Sequence, residues 1–242
     1  MPDLDEIAGA PPTTTVTETV DRLRAILAVL PDDDGVAHFT RMYLDVTQGV
    51  GQALVGRPLR DPAYLARLDV VFANLYLSAF AASVRRPAEL PRAWAPLFEC
   101  RRRRGIAPVQ HAVAGMNAHI NRDLPIALVA TATDLGLTLD ESSPQHADFI
   151  TVNTLLSEAE QRVKKSLVTG LIGFLDRLFG TLDDRVAMWD ISRARDAAWA
   201  NAELLWAVRD DPHLSAGLIT TLDRTVGFAG RGLLVPSFWR FW

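Results

Sequence analysis

The chain has little cysteine, the residue on which small disulfide domains and many zinc domains depend, and its net charge is small. Its 242 residues include one cysteine, Cys100, which excludes an internal disulfide and a cysteine-based zinc site. The formal net charge is −4, whereas proteins that bind nucleic acid are usually basic. There is also no run of about 18 apolar residues of the kind that predicts a transmembrane helix. We therefore expect no nucleic-acid partner and no membrane span.

The common catalytic signatures are missing as well. The sequence contains no phosphate-binding GxxxxGK[ST] loop, no GxGxxG, no GxSxG and no HExxH, which removes the enzyme classes that those motifs define. The first residues are acidic and include Pro11 and Pro12, unlike the basic and apolar start of a signal peptide. We expect residues 1–14 to form a flexible leader. A cytoplasmic location is expected, which agrees with the single cysteine.

What the sequence does contain is helical periodicity. Apolar residues recur at helical spacing along nearly the whole chain, and no alternating strand pattern competes with them. Thr15 with Glu18 is typical of a capping box, and Asp61 before Pro62 is typical of a helix start. These patterns predict one all-α domain over residues 15–242, a bundle of roughly seven or eight helices.

The helix that follows Pro62 carries a carboxylate on its apolar side. Asp69 falls between Tyr76 and Phe80 on a helical wheel. An isolated buried carboxylate is too unfavourable to persist, so Asp69 is expected to be paired, bound to a metal ion or protonated. A structural ion pair explains the pattern as well as a functional role does. In the functional interpretation Asp69 is a catalytic group or a metal ligand, and Tyr76 contacts the substrate.

The helix that begins at Pro108 has the highest density of polar side chains. His119 and Asp123 are four residues apart and therefore share one face. Such a pair can bind one metal ion, or the aspartate can orient a histidine that acts as a base. Gly115 indicates a close approach by another helix or a ligand, and Pro125 predicts a kink near Asn121. A surface pair beside a helix-ending proline is the structural alternative.

Further polar residues are predicted near the same site. Asn117 and Asn121 lie on the other edge of this helix and are candidates to orient a substrate. Asn153 and Glu160 share the apolar stripe of the next helix. Asn153 is therefore a candidate substrate contact and Glu160 a candidate catalytic residue. A polar seam between two packed helices is the alternative.

The last third of the chain has a weaker pattern. One face of the helix near residue 200 is predicted to combine three charged side chains with apolar ones; these are Arg193, Asp196 and Glu203, with Trp189, Ala200 and Ala207. The aromatic residues of the tail, 238–242, are expected to dock on the protein's own core. A homodimer contact is the alternative use of that tail.

The motif GMNAHINRDL, within residues 111–124, resembles an uncharacterised family of bacterial all-helical proteins, a domain of unknown function. Residues 38–43, 68–76 and 189–199 fit the same family, so the resemblance covers most of the chain. It implies an all-helical fold and supplies no reaction.

The spacing of His119 and Asp123 is also similar to the helical ligand pair of zinc-dependent phospholipases C and P1-type nucleases. Those enzymes use several more histidines, whereas this chain has five in all. The paired Glu-x-x-His of ferritin-like di-iron bundles is absent. A divalent metal ion held by His119, Asp123 and Asp69 is therefore one hypothesis beside metal-free acid–base chemistry.

Together these patterns favour an enzyme that acts on a small apolar molecule. The predicted pocket lies among the helices that carry Asp69, His119 and Asn153. A hydrolase or a lyase/cyclase acting on a lipid-, terpenoid- or polyketide-like substrate fits these groups. The alternative is a non-catalytic protein that binds an apolar ligand, in which the polar residues form a buried hydrogen-bond network.

Overall fold

The computed structural model describes residues 3–166 and 191–236, with side chains described through residue 156 and again from residue 191. The structure is 76% helical, and the described residues contain no strand, which confirms the predicted all-α fold. The α-helices are α1 (Leu4–Gly9), α2 (Val16–Val29), α3 (Gly35–Leu54), α4 (Pro62–Arg85), α5 (Ala95–Cys100), α6 (Pro108–Ala118), α7 (Leu124–Asp134), α8 (Pro144–Ser166), α9 (Ile191–Ala207) and α10 (Pro212–Leu233). Trp189, the aromatic tail and the side chain of Glu160 lie outside the described residues.

Helix starts follow local chemistry. The Asp61 side chain accepts a hydrogen bond from the backbone N–H of Tyr64, so it caps α4 as predicted. Asp3 caps α1 in the same way, and Ile7 of that helix is buried in the core. Residues 4–9, predicted to belong to a flexible leader, thus form a helix that packs on α4, because a side-chain cap and a buried apolar residue stabilise this short segment.

The helix around Pro125 continues through a widened turn. Between α6 and α7, residues His119–Asp123 form a π-helical turn, in which the backbone N–H of Leu124 donates to the carbonyl of His119. Pro125 has no N–H to donate, so the regular α-helical bond to Asn121 is lost there. The disturbance predicted from Pro125 takes this form. π-Helical turns inside α-helices are frequent at functional sites.

The buried side chains form two clusters that share α4. The first cluster holds the second half of α4, including Tyr76 and Phe80, against α2, α3 and α5. The second holds Tyr64 and Leu68 from the first half of α4 against α7 and α9, together with Phe149 of α8. α4 is thus the central helix of the fold.

The composition of α4 is also similar to that of a membrane-spanning helix. By length and composition α4 could cross a membrane, with a mean hydropathy of 1.4 over the best window, and half of that window is buried inside the fold. A core helix passes the same test, because its apolar residues pack against other helices. The absence of a membrane span stays a prediction.

The buried face of α9 carries Arg195, Ala198 and Trp199. Arg193, Asp196, Ala200 and Ala207, which the sequence placed on one face, lie on the exposed side. The small and aromatic residues of the buried face allow α9 to pack closely against α7.

Candidate functional site

A cavity of about 280 Å³ lies where α3, α4, α8 and α9 meet. Its wall is mostly apolar and includes Val46, Val50 and Leu54 of α3 and Leu65 and Phe72 of α4. Two charged side chains, Asp69 and Arg195, also line it. Binding sites for small molecules are typically of this kind, an apolar concavity with a few polar groups.

The wall is held together by a polar contact at the start of α4. The buried carboxylate of Asp148 accepts hydrogen bonds from the backbone N–H groups of Arg60 and Asp61, at 2.9 and 2.6 Å. Gln145 also donates to the Asp61 side chain at 2.6 Å. These bonds fix the first turn of α8 to the first turn of α4. The cavity walls therefore have a defined separation.

Asp69 stands on the cavity side of α4, one turn from Leu65 and Phe72. Within the described residues no side chain forms a hydrogen bond or an ion pair with it. Burial raises the pKa of Asp69 to about 6, and the positive charge of Arg195 opposes that rise. The sequence prediction that Asp69 faces an apolar environment is thus matched by its position. This carboxylate can exchange a proton near neutral pH.

Arg195 enters the cavity wall from α9. Its Nε donates to Oδ1 of Asn153 at 2.5 Å, and its guanidinium carbon lies 4.6 Å from the centre of the Phe149 ring. Asn153 in turn donates from Nδ2 to Asp196 at 3.0 Å. Burial lowers the pKa of Arg195 to about 10, so the side chain stays charged at neutral pH. Asn153 thus holds this arginine in place, and its assignment as a substrate contact stays a prediction.

His119 and Asp123 form a second polar group, enclosed in the core. His119 Nδ1 lies 3.2 Å from Asp123 Oδ2, and that oxygen also accepts a hydrogen bond from Trp94 Nε1 at 2.9 Å. Arg122 donates to the other carboxylate oxygen at 2.6 Å. Burial lowers the pKa of His119, and the neighbouring Asp123 carboxylate opposes that effect.

Phe72 separates the two polar groups. Its ring stacks on that of His119 with the centroids 3.5 Å apart and the planes 5° from parallel, and it also lines the cavity. Tyr43 likewise contacts His119 and lines the cavity. His119 itself is 3% exposed, and its Nε2 has no hydrogen-bond partner among the described residues. His119 does not line the cavity.

The remaining predicted contacts hold the fold together. Asn117 donates to the backbone carbonyl of Val226 at 3.0 Å and accepts from Asn121 at 3.1 Å, on the side of α6 that faces α10. Tyr76 is fully buried, with its hydroxyl 2.6 Å from that of Thr40. None of these three residues lines the cavity. Their assignment as substrate contacts stays a prediction that this geometry does not favour.

The candidate metal ligands are not gathered in one place. Among the described residues, no group of three or more His, Cys, Asp or Glu side chains could hold a metal ion. His119 and Asp123 touch each other, whereas Asp69 forms no hydrogen bond or ion pair with either. The Asp123 oxygens already bind Trp94 and the cationic Arg122. Glu160, the remaining catalytic candidate, cannot be placed because its side chain lies outside the described residues.

Sequence reasoning missed Arg195. A signal for it was present, because Arg195, Ala198, Trp199 and Ala202 follow the spacing of one helical face. All four are buried in the structure. A charged arginine on the buried face of α9, among small and aromatic residues, is as unusual as the charged Asp69 on the apolar side of α4.

The family of the chain follows from a family model that matches residues 16–236. The chain belongs to DUF5995, a family of unknown function. The matched range of this DUF5995 protein contains every residue that lines the cavity. The sequence-based assignment to a family of unknown function is thereby confirmed. No curated protein and no solved structure matches this DUF5995 chain.

Proposed function

We propose that this protein binds a small apolar molecule in the cavity between α3, α4, α8 and α9. The observation that carries the proposal is the cavity itself, about 280 Å³ of space with mostly apolar walls and two charged groups. Burial of apolar ligand surface against these walls supplies the affinity, at about 25 cal/mol per Å² removed from water. The two charged groups supply orientation.

Filling the cavity tests this proposal. A tryptophan at Val50, which lines the wall, occupies the space that a ligand needs. Val55→Trp is the matched control, because Val55 lies just beyond α3 at 81% exposure. Titration with the neutral fluorophore N-phenyl-1-naphthylamine is expected to give saturable binding to the wild type and to Val55→Trp, and none to Val50→Trp. Equal binding by all three proteins would contradict the proposal.

Catalysis in the same cavity is the second candidate. Asp69 favours it, because burial raises the pKa of this carboxylate to about 6, close to the pH at which a general acid or base works best. A hydrolase and a lyase/cyclase both need such a group beside an apolar substrate. His119 and Asp123 do not line the cavity, so a catalytic role for them requires a movement of the wall residues that contact His119, Phe72 and Tyr43.

Ester hydrolysis distinguishes this candidate from binding alone. We expect a hydrolase of this kind to release p-nitrophenol from p-nitrophenyl butyrate, with turnover lost in Asp69→Asn. Asp45→Asn serves as the control, since Asp45 is an exposed carboxylate on α3 that does not line the cavity. Equal turnover by Asp69→Asn and the wild type would contradict a catalytic role for Asp69.

A further inference from the structure

Arg195 is a buried charge that lacks an ion-pair partner in the part of the chain that the structure describes. It is 8% exposed, and its one hydrogen bond there is the one from Nε to Asn153. Its two terminal nitrogens donate to no described group, and no described carboxylate lies within ion-pair distance of them. Buried arginines are normally paired, because an unpaired charge inside a protein is strongly unfavourable.

The location of Arg195 indicates which kind of group would pair with its charge. The side chain belongs to the wall of the cavity, and apolar groups of α3 and α4 form much of the same wall. We propose that the ligand is a small carboxylic acid with an apolar chain, held by its carboxylate on Arg195 and by its chain against α3 and α4. This inference rests on the proposed binding function and adds the chemical class of the ligand.

The size of the cavity favours a small ligand. Its volume of about 280 Å³ lies near the lower end of the range of small-molecule sites, about 300–1,000 Å³. Octanoate, an acid with a short apolar chain, is therefore the natural probe.

The charge of the wall favours a carboxylate over a phosphate. A guanidinium binds a carboxylate through two parallel hydrogen bonds, which the free terminal nitrogens of Arg195 can donate. Arg195 is the single cation in the described lining, and the acidic Asp69 lies in the same cavity. A doubly charged phosphate would find one cation there, Arg195, and Asp69 would repel its two charges more strongly than the single charge of a carboxylate.

The negative charge of Asp69 gives a second test of whether the ligand is a carboxylate. As an acid in the same cavity it repels the ligand carboxylate and does not affect a neutral alcohol. Removing its charge in Asp69→Asn is therefore expected to strengthen octanoate binding severalfold and to leave octanol binding unchanged. A gain of affinity cannot come from misfolding.

Isothermal titration of the full chain with octanoate, octanol and octylamine tests the inference. Octanoate is expected to bind the wild type about tenfold or more tightly than octanol, because a charge-assisted hydrogen bond contributes at least about that factor. Arg195→Gln is expected to lose this preference. Arg209→Gln, which changes an arginine outside the cavity, is expected to keep it.

The outcomes separate the ligand class from the binding function. If octanol binds as well as octanoate, the carboxylate is wrong and the apolar cavity remains a binding site. Preference for octylamine would also overturn the inference and make Asp69 the anchor. If none of the three probes binds, both proposals fail. Should Arg195→Gln not fold, the three ligands on the wild type and on Asp69→Asn still decide the matter.

Discussion

Replacing Asp69 with asparagine is expected to stabilise the protein at neutral pH. The folded-state pKa of Asp69 is about 6, against an ordinary value of 3.8, because burial disfavours the charged form. That difference corresponds to about 3 kcal/mol, since each factor of ten in proton affinity is about 1.4 kcal/mol. Asp69 is partly exposed to the cavity, and water there reduces the penalty. About 3 kcal/mol is thus an upper limit for the gain.

The sign of the pH dependence follows from linkage. Between about pH 4 and pH 6 the folded protein holds a proton on Asp69 that the unfolded chain has released, so the free energy of unfolding falls as pH rises through this window. Above about pH 6 both states are ionised and the penalty is constant. Asp69→Asn has no such group. Its advantage over the wild type is expected to be full at about pH 8 and about half as large at about pH 5.

Urea unfolding of wild type and variant at these two pH values measures the effect. Other titrating groups contribute equally to both proteins, so the difference isolates Asp69. Asp45→Asn is the control, because Asp45 is exposed on α3 and its substitution is expected to leave stability nearly unchanged. An Asp69→Asn protein no more stable than the wild type at about pH 8 would refute the claim that this carboxylate is desolvated.

Three further results are expected. Gly115→Ala is expected to lower the midpoint of thermal unfolding, because a Cβ there would meet the buried Phe39 ring at less than van der Waals distance. Gly217→Ala, in open space on α10, is expected to raise the midpoint, because the helix propensity of alanine adds up to about 1 kcal/mol of stability. Equal shifts in both variants would contradict the close packing at Gly115. Trp94→Phe removes the 2.9 Å hydrogen bond to Asp123 and destabilises by about 1.5–3 kcal/mol in urea unfolding; an unchanged midpoint would show that this bond contributes nothing. A chelator is expected to leave the melting temperature unchanged, because the Asp123 oxygens are already bound by protein donors; a lower melting temperature would favour the metal hypothesis.

The parts of the fold that sequence predicted are those governed by local chemistry. Asp61 before Pro62 fixes the start of α4 through one side-chain bond and one locked dihedral angle. Gly115 was expected to mark a close approach, and the Phe39 ring of α3 is what approaches it. Both signals involve a single residue and its immediate neighbours, so they can be interpreted without the rest of the structure.

The errors arise where the phase of a helix depends on distant partners. Arg195 faces inward because Ala198 and Ala202 let α9 pack closely on α7, and no local rule weighs those small residues against a charge. The π-helical turn likewise moves His119 and Asp123 relative to a regular wheel. Their neighbours, Trp94 just before α5 and Phe72 of α4, come from distant parts of the chain, so the sequence near His119 and Asp123 does not indicate them.

The state of hydrogen bonding distinguishes the two buried polar groups. Asp123 has its oxygens bound by Trp94, Arg122 and His119, so this carboxylate is compatible with a purely structural role. Asp69 and Arg195 line a cavity, and within the described chain each lacks an ion-pair partner. A protein that needed only stability would do better with apolar residues at both positions. The charges that lower stability are therefore the stronger evidence for a ligand, and the polar residues that satisfy one another are the weaker.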